Sequence, residues 1–481
     1  MIQFVRMRWV DVTKIVRSSG LDVMNCVRVC NCCGFLLQSF HMEKTAIQIV
    51  KTLQNAGHMA YFAGGSVRDF LMEREPVDYD IATSATPDEI EHLLEKTIPI
   101  GRQFGVMLAV VNGHHFEIAT FRSDSGYSDG RRPDAVTFTS AEEDAVRRDF
   151  TINGLFYDPL TKKVLDFVDG QKDIQNKVIR FIGEPHERIK EDHLRLLRAV
   201  RFKNNLEFQY DPATEIALEE LGGLVNDISG ERLSDELTKM LLDPHRAHSI
   251  RELDKIGILQ HILPELTLCK NVKQPYQYHQ EGDVFTHILK SLHDMPNEWA
   301  SKALVWAVFL HDIGKPMTFD QESDRIHFDG HAELSAKMAQ KICRRLKLPK
   351  SDTTKITWLI GHHMTVGSIP DMRRAHQIGF FWHPWFPDLM HLHYCDEHGS
   401  LPIDLSLYKK IMTLYHDFTA MKLLESHYTP LLTGDDLMKE FSLKPGSKIK
   451  KILEALREAQ IEHEVKTKSE AIAFAKKMIG T

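Results

Sequence analysis

Apolar and polar positions change rhythm along this chain of 481 residues. From Met42 to Phe150, apolar runs of strand length alternate with longer amphipathic stretches of helical period. Tyr61-Phe62-Ala63 reads as the end of a buried strand, Gly64-Gly65 as a turn, and Ser66 to Met72 as a helix. Asp78 to Thr83 is predicted to be the next strand. Val106–Val111 and His115–Phe121 are predicted to form a hairpin closed at Asn112-Gly113, a dipeptide suited to tight turns. From Thr151 the pattern turns helical, apart from short strands near 164–167 and 178–181. Ala303 to Leu310 is apolar on every face, which predicts a fully buried helix. The expected fold class is α+β: a small mixed-sheet head followed by mostly α-helical segments.

Two aspartates, Asp78 and Asp80, stand at i and i+2 of the predicted second strand. Strand side chains alternate between faces, so both carboxylates project from one face and can hold the same pair of Mg²⁺ ions. Such a pair activates a hydroxyl and bridges the phosphates of a nucleotide. Gly64-Gly65 would let backbone N–H groups approach a polyphosphate just ahead of a helix N-terminus. Alone, a Gly-Gly is usually a turn and an Asp-x-Asp a solvated loop. Joined by strand, turn, helix and strand, they indicate a nucleotide and metal site. Glu117 interrupts the apolar Phe116-Glu117-Ile118-Ala119, where a charge needs a partner or a metal, so it is assigned as the third acid. A partly exposed strand glutamate is the plainer alternative.

Farther along, Asp192, His193, Arg195 and Arg198 fall at helical spacing, leaving Leu194, Leu197 and Ala199 for the core. Asp192 and Arg195, at i and i+3, can brace each other while offering an acceptor and a forked donor that imitate a base edge. An ordinary ladder of ion pairs through Asp192, Arg195, Arg198 and Arg201 is the competing interpretation.

In this order the motifs resemble the polymerase-β-type nucleotidyltransferases, specifically bacterial tRNA nucleotidyltransferases (CCA-adding enzymes) and their poly(A) polymerase relatives. Arg122 to Pro133 is similar to the family's flexible loop, and Arg147 to Asn153 to its ribose and triphosphate motif. Asp166 to Asp173 resembles the neck hinge, Glu191 to Phe202 the nucleotide-reading helix, and Gly230-Glu231-Arg232 with Glu236 and Lys239 the next block. The resemblance spans roughly 42–242. It implies Mg²⁺ at Asp78 and Asp80, with Glu117 completing the catalytic acids. It implies nucleotide contacts from Gly64, Gly65, Ser66, Arg68, Arg148, Asp149 and Asn153, base reading by Asp192 and Arg195, and support from Arg198 and Arg201. The implied activity is addition of C, C and A to tRNA from CTP and ATP; poly(A), CC-only or A-only output are the alternatives. The complete loop at 122–133 leans toward CCA addition. So does Ile100 to Gly105, which departs from the more basic segment of bacterial poly(A) polymerases.

A different chemistry begins at Tyr278-His279-Gln280-Glu281-Gly282-Asp283. His287, His311-Asp312, His331, His362-His363 and Asp396, on successive predicted helices, resemble the HD phosphohydrolases. That resemblance implies one or two divalent metals held by His287, His311, Asp312 and Asp396, with His331, His362 and His363 as further candidates. Imidazole with carboxylate suits Mn, Ni, Zn, Fe or Mg. The unit would hydrolyse phosphate esters at RNA ends or serve as a scaffold that docks RNA. In the tail, Thr433 and Asp435 fit a helix cap, and Lys444 to Lys451 puts basic side chains at a helix start that suits RNA phosphate or a solvated surface equally. The expected segments are 1–41 (an extension), 42–150 (head), 151–268 (neck), 269–400 (HD domain) and 401–481 (tail).

Composition adds bounds. With 43% apolar and 26% charged residues the chain is of globular type. A net charge of −7 excludes a chain that coats nucleic acid throughout, yet Arg122, Arg131, Arg132, Arg147, Arg148, Arg188, Arg195, Arg198, Arg201 and Lys203 gather positive charge near the proposed site. A non-catalytic RNA binder is disfavoured, because clustered acids repel phosphate unless a metal is present. Seven cysteines form no disulfide framework, and no apolar run reaches membrane length, so a reduced, cytoplasmic protein is expected. Met42 reads like a native start preceded by a mis-assigned one.

Overall fold

A computed structural model describes residues 31–126, 135–322, 325–420, 430–461 and 464–480. The segment up to residue 30, with Cys26 and Cys30, lies outside these, as do residues 127–134 with Arg131 and Arg132. The chain forms two compact units that meet in sequence at Asp227 and Ile228, inside the anticipated 151–268 segment.

The first unit is built on seven strands: β1 (Ala60–Ala63), β2 (Asp80–Thr83), β3 (Thr97–Gly101), β4 (Val106–Val111), β5 (His114–Thr120), and, after a separate two-stranded ribbon, β6 (Leu155–Asp158) and β7 (Lys163–Asp166). Their spatial order is β3-β4-β5-β2-β1-β6-β7. Only β2 and β5 pair in parallel, with Ile81 opposite Ile118; every other neighbouring pair is antiparallel. The β4–β5 hairpin turns at Asn112-Gly113 as the dipeptide predicts, both residues adopting positive φ. The helix Asn31–Asn55, which runs through Met42, covers one sheet face. Its Ile49, Val50 and Leu53 pack with Phe62, Tyr79, Ile81, Met107, Phe116 and Ile118. The ribbon pairs Arg122–Ser125 with Ala135–Phe138, so the first residues of the loop anticipated at 122–133 are strand. The helix after the turn is Gly65–Leu71, and Arg195–Leu206 follows the sheet in the same unit.

The second unit is helical. Lys302–Leu310 is buried on all sides, as its unbroken apolar pattern predicts. Its Trp306 indole N–H donates to Thr238 Oγ1 at 3.0 Å, satisfying the one polar atom that burial would strand. Against it pack Gly230–Leu242, Val284–His293, Lys350–His362 and Phe386–Gly399, and His331–Arg345 packs on Lys350–His362. Three tail helices, Gly434–Phe441, Ser447–Ile461 and Lys468–Ile479, share a core of Leu437, Ile452, Leu456, Ala471 and Ala475. Thr433 caps the first of these as predicted; its reciprocal partner is Asp436, not Asp435. Among the described residues, no helix is long and apolar enough to cross a membrane.

Candidate functional site

Alternation in two parallel strands builds the head site. Tyr79 and Ile81 enter the core, which turns Asp78 and Asp80 to the opposite, exposed face; Asp78 itself lies just ahead of β2. Phe116 and Ile118 do the same for Glu117 on β5. The register that sets Ile81 beside Ile118 therefore brings Asp80 alongside Glu117. Desolvation, followed by the charges of Asp78 and Glu117, pushes the Asp80 carboxyl up to about 7, against the pull of Arg148. Glu117 is raised by desolvation and by Asp78, with Arg122 opposing. Three crowded oxygen donors that resist sharing their charge fit a hard divalent cation.

The cationic side of the site is one connected network. Gly64 has φ +67°, and a Cβ there would stand 3.2 Å from Arg148 Nη1, so glycine is what admits the guanidinium. Gly64 N–H donates to Leu155 O and Ser66 Oγ to Ala63 O, so both groups serve the turn itself. Arg148 lies 4.9 Å from the Phe156 ring and is held at 3.0 Å by the buried Asp144, which also pairs with Arg147. Arg68 Nη1 donates to Asn153 Oδ1 at 2.8 Å. Asn153 Nδ2 in turn donates to Asp149 Oδ1, and Arg198 Nη2 meets Asp149 Oδ2 at 2.6 Å. Burial would raise the Asp149 carboxyl, but Arg198, Phe150 N–H and Asn153 hold it well below the usual carboxylate range. Beneath this network the Phe202 ring gathers three guanidiniums, those of Arg68, Arg198 and Arg201, at 5.2, 5.2 and 4.3 Å.

The predicted reading helix starts later than its periodicity implied. Arg195 is its first residue, while Asp192 ends the preceding helix Pro185–Glu191 in extended backbone. The Asp192 carboxylate accepts the Leu194 N–H at 3.1 Å, a local bond that competes with helix continuation. Arg195 Nη1 donates to Glu191 Oε2 at 2.7 Å and to Arg188 O at 2.6 Å. Asp192 and Arg195 are thus neighbours across a turn and do not share a helix face.

The second unit collects a histidine–aspartate centre. His287, His311 and Asp312 are buried, and Asp396 closes the set. Donor distances among His287 Nε2, His311 Nε2, Asp312 Oδ2 and Asp396 Oδ1 run from 3.0 to 3.6 Å. Donors about 2.1 Å from one ion stand about 3.0–3.4 Å apart, so this set has the spacing of a coordination sphere. Asp312 Oδ1 faces a second set, His331 Nε2 at 3.4 Å and His363 Nε2 at 3.8 Å, themselves 3.2 Å apart. Both Asp312 oxygens are buried without a hydrogen bond of ordinary geometry, although Lys315 Nζ lies 2.6 Å from Oδ2. Burial would raise the Asp312 and Asp396 carboxyls; the adjacent imidazoles, and Lys315 at Asp312, keep both well below their usual range. Two ionised carboxylates converging with four imidazoles fit one or two divalent metals. His362 is not part of this arrangement, since it stacks on Trp358 and bonds Trp358 O.

Sequence reasoning had not singled out Asp144, Phe202, Lys315 or Glu281. Asp144 pairs with Arg147 and Arg148, Lys315 with Asp312 and Glu281 with His287, all within six positions, and only the segment 278–283 carried a visible signal.

Three family models match, in chain order: the poly(A) polymerase head domain at residues 60–180, the probable RNA- and SrmB-binding site of polymerase A at 207–269, and tRNA nucleotidyltransferase domain 2 at 410–475. Residues 60–180 thus match the poly(A) polymerase head domain, and the resemblance to the tRNA nucleotidyltransferase and poly(A) polymerase family is borne out. Among individual relatives it is 45% identical over 201 residues to a CCA-adding enzyme of Lactobacillus helveticus, covering 42% of this chain and 50% of that one. It is 36% identical over 273 residues to that of Bacillus cytotoxicus, covering 56% and 64%. The chain spans about half the length of the curated relatives it matches. Its fold also matches the Bacillus stearothermophilus CCA-adding enzyme, solved in complex with CTP, with TM-score 0.65 and 26% identity over 92% of this chain and 98% of that one.

Proposed function

We propose that this protein adds C, C and A to the 3′ end of tRNA from CTP and ATP, without a nucleic-acid template. The observation that carries this is the carboxylate trio Asp78, Asp80 and Glu117 under the charge of Arg148, whose guanidinium donates to Asn153 O and so joins the Arg68–Asn153–Asp149–Arg198 network. Relatives named CCA-adding enzymes support the choice of product. The RNA 3′-hydroxyl oxygen would attack the nucleotide α-phosphorus, breaking its bond to the bridging oxygen and releasing pyrophosphate. Asp78 and Asp80 would hold Mg²⁺, beside Glu117. Bound Mg²⁺ would lower the pKa of the hydroxyl and neutralise the phosphates. Arg68 and Arg148 would face the triphosphate, and Asp149 and Asn153 would fix Arg198 and Arg68 in place. Asp192 and Arg195 would read the base edge, which requires Arg195 to keep an edge of its guanidinium turned from Glu191. A cytoplasmic setting belongs to the same proposal.

The experiment is nucleotide addition to tRNA transcripts ending before CCA, after C and after CC, with CTP and ATP offered separately and together. Ordered addition that stops at CCA is expected. Long A tracts on any RNA would replace the proposal with a poly(A) polymerase, and CC alone or A alone with a divided labour between two enzymes.

The donor spacing of the histidine–aspartate centre favours a second activity, metal-dependent hydrolysis of phosphate esters at RNA ends. His287, His311, Asp312 and Asp396 would hold one ion, and Asp312, His331 and His363 a second. Bound metal would supply Lewis-acid polarisation of the ester phosphate and an activated water.

A further inference from the structure

Three histidines of the second centre are oriented by their own backbone. His311 Nδ1 bonds Val308 O at 2.8 Å, His331 Nδ1 bonds Phe328 O at 2.7 Å, and His363 Nδ1 bonds Ile360 O at 2.7 Å. A carbonyl only accepts, so each ring carries a proton on Nδ1, and in the neutral ring, the form that binds metal, Nε2 turns its lone pair toward the centre. His287 is the exception. Its Nδ1 meets a side chain from outside its helix, Glu281 Oε1, at 3.2 Å.

Glu281 precedes the helix Val284–His293, and only 2% of its side chain is exposed. Oε1 is also 2.8 Å from His279 Nδ1, while Oε2 accepts the Leu401 N–H at 2.8 Å. These are hydrogen-bond spacings, and together they occupy both oxygens. His279, Glu281 and His287 lie close enough to suggest a third metal set, but a carboxylate committed to three donors serves as a relay. Behind the ring, a Cβ on Gly399 would stand 2.9 Å from His287 Cε1, so the imidazole is confined on that side as well.

We propose that Glu281 is the positioning residue of this centre. It sets the His287 tautomer and ring orientation, and through them the affinity of the set His287–His311–Asp312–Asp396, without itself meeting an ion. The proposal rests on the centre's being a metal site. Its distinguishing consequence is selectivity: in the set Asp312–His331–His363 both histidines take their orientation from backbone carbonyls, and neither touches Glu281.

The test is titration of the full-length chain with Co²⁺, following ligand-field absorption and the metal retained after gel filtration, with thermal midpoints recorded alongside. Glu281→Ala is expected to weaken one bound equivalent about 10–100-fold and to leave the other unchanged. Glu281→Gln, which keeps an acceptor oxygen for His287 but no charge, is expected to fall between Ala and wild type. If the Ala variant does not fold, selective weakening in the Gln variant decides. Wild-type titration curves in both variants would overturn the role of Glu281, as would equal weakening of both equivalents. Co²⁺ uptake by the wild-type chain that Asp312→Ala leaves untouched would instead overturn the metal centre itself.

Discussion

Asp149 is a buried acid whose charge is kept by its neighbours, and that fixes how it responds to pH. Burial opposes ionisation, but Arg198 and two N–H donors outweigh it and depress the folded-state pKa. Between the folded value and the ordinary carboxylate value of about 3.9, the unfolded chain binds more protons than the folded one. Stability therefore rises with pH through that window; the contribution is complete above it and lost as pH falls. Asp149→Asn should lower the thermal midpoint clearly at pH 7, with the gap to wild type narrowing below about pH 4. A gap that does not change with pH would mean the ion pair is not the cause. Gly64 illustrates the other kind of residue effect. Gly64→Ala would carry about 1–3 kcal/mol of backbone strain, because φ +67° with ψ −128° is a conformation that L side chains rarely adopt, and would press on Arg148. The nucleotide KM should rise about tenfold or more in steady-state addition assays, with Asp80→Ala as the inactive reference.

At the level of elements, Val284–His293 and Phe386–Gly399 approach so closely that a Cβ on Gly399 would lie 2.1 Å from Ser291 Oγ. Gly399→Ala should lower the melting temperature by several degrees and reduce retained metal, because the displaced helix carries His287. Adding Ser291→Ala should recover part of the stability, since the hydroxyl is the nearest obstacle. Elements also mark how far the sequence was legible. The alternation of Tyr79 with Asp78 and Asp80, and of Phe116 and Ile118 with Glu117, is written in period two, so those acids could be found from residues alone. The order of His287, His311, Asp312 and Asp396 was equally visible. What stayed hidden depends on side-chain pairings that no periodicity marks: Asn153 meets Arg68 from 85 positions away, and Glu281 both holds the nearby His287 and accepts the Leu401 N–H from 120 positions on. The helix start was misplaced because helical spacing continues through Asp192, whereas its side chain bonds the Leu194 N–H and ends the periodicity there.

At the scale of the whole molecule, the two proposed chemistries fall on separate units, so they should fail separately. Asp80→Ala is expected to abolish nucleotide incorporation and spare hydrolysis of a 2′,3′-cyclic phosphate RNA end; Asp312→Ala should do the reverse. Loss of both activities in either folded variant would refute the division. The net charge of −7 conceals how unevenly charge is distributed. Three guanidiniums crowded over one phenylalanine repel each other, and the ring attracts them only modestly. Asp149 and Asp69 offset part of that repulsion and hold Arg198 and Arg68 in place, so a compact polyanion reaching the first unit would meet donors already positioned. Inorganic pyrophosphate, the leaving group of the proposed reaction, should then act as a folding ligand, raising that unit's melting temperature without nucleobase or RNA, and Phe202→Leu should blunt the rise by letting the cations disperse.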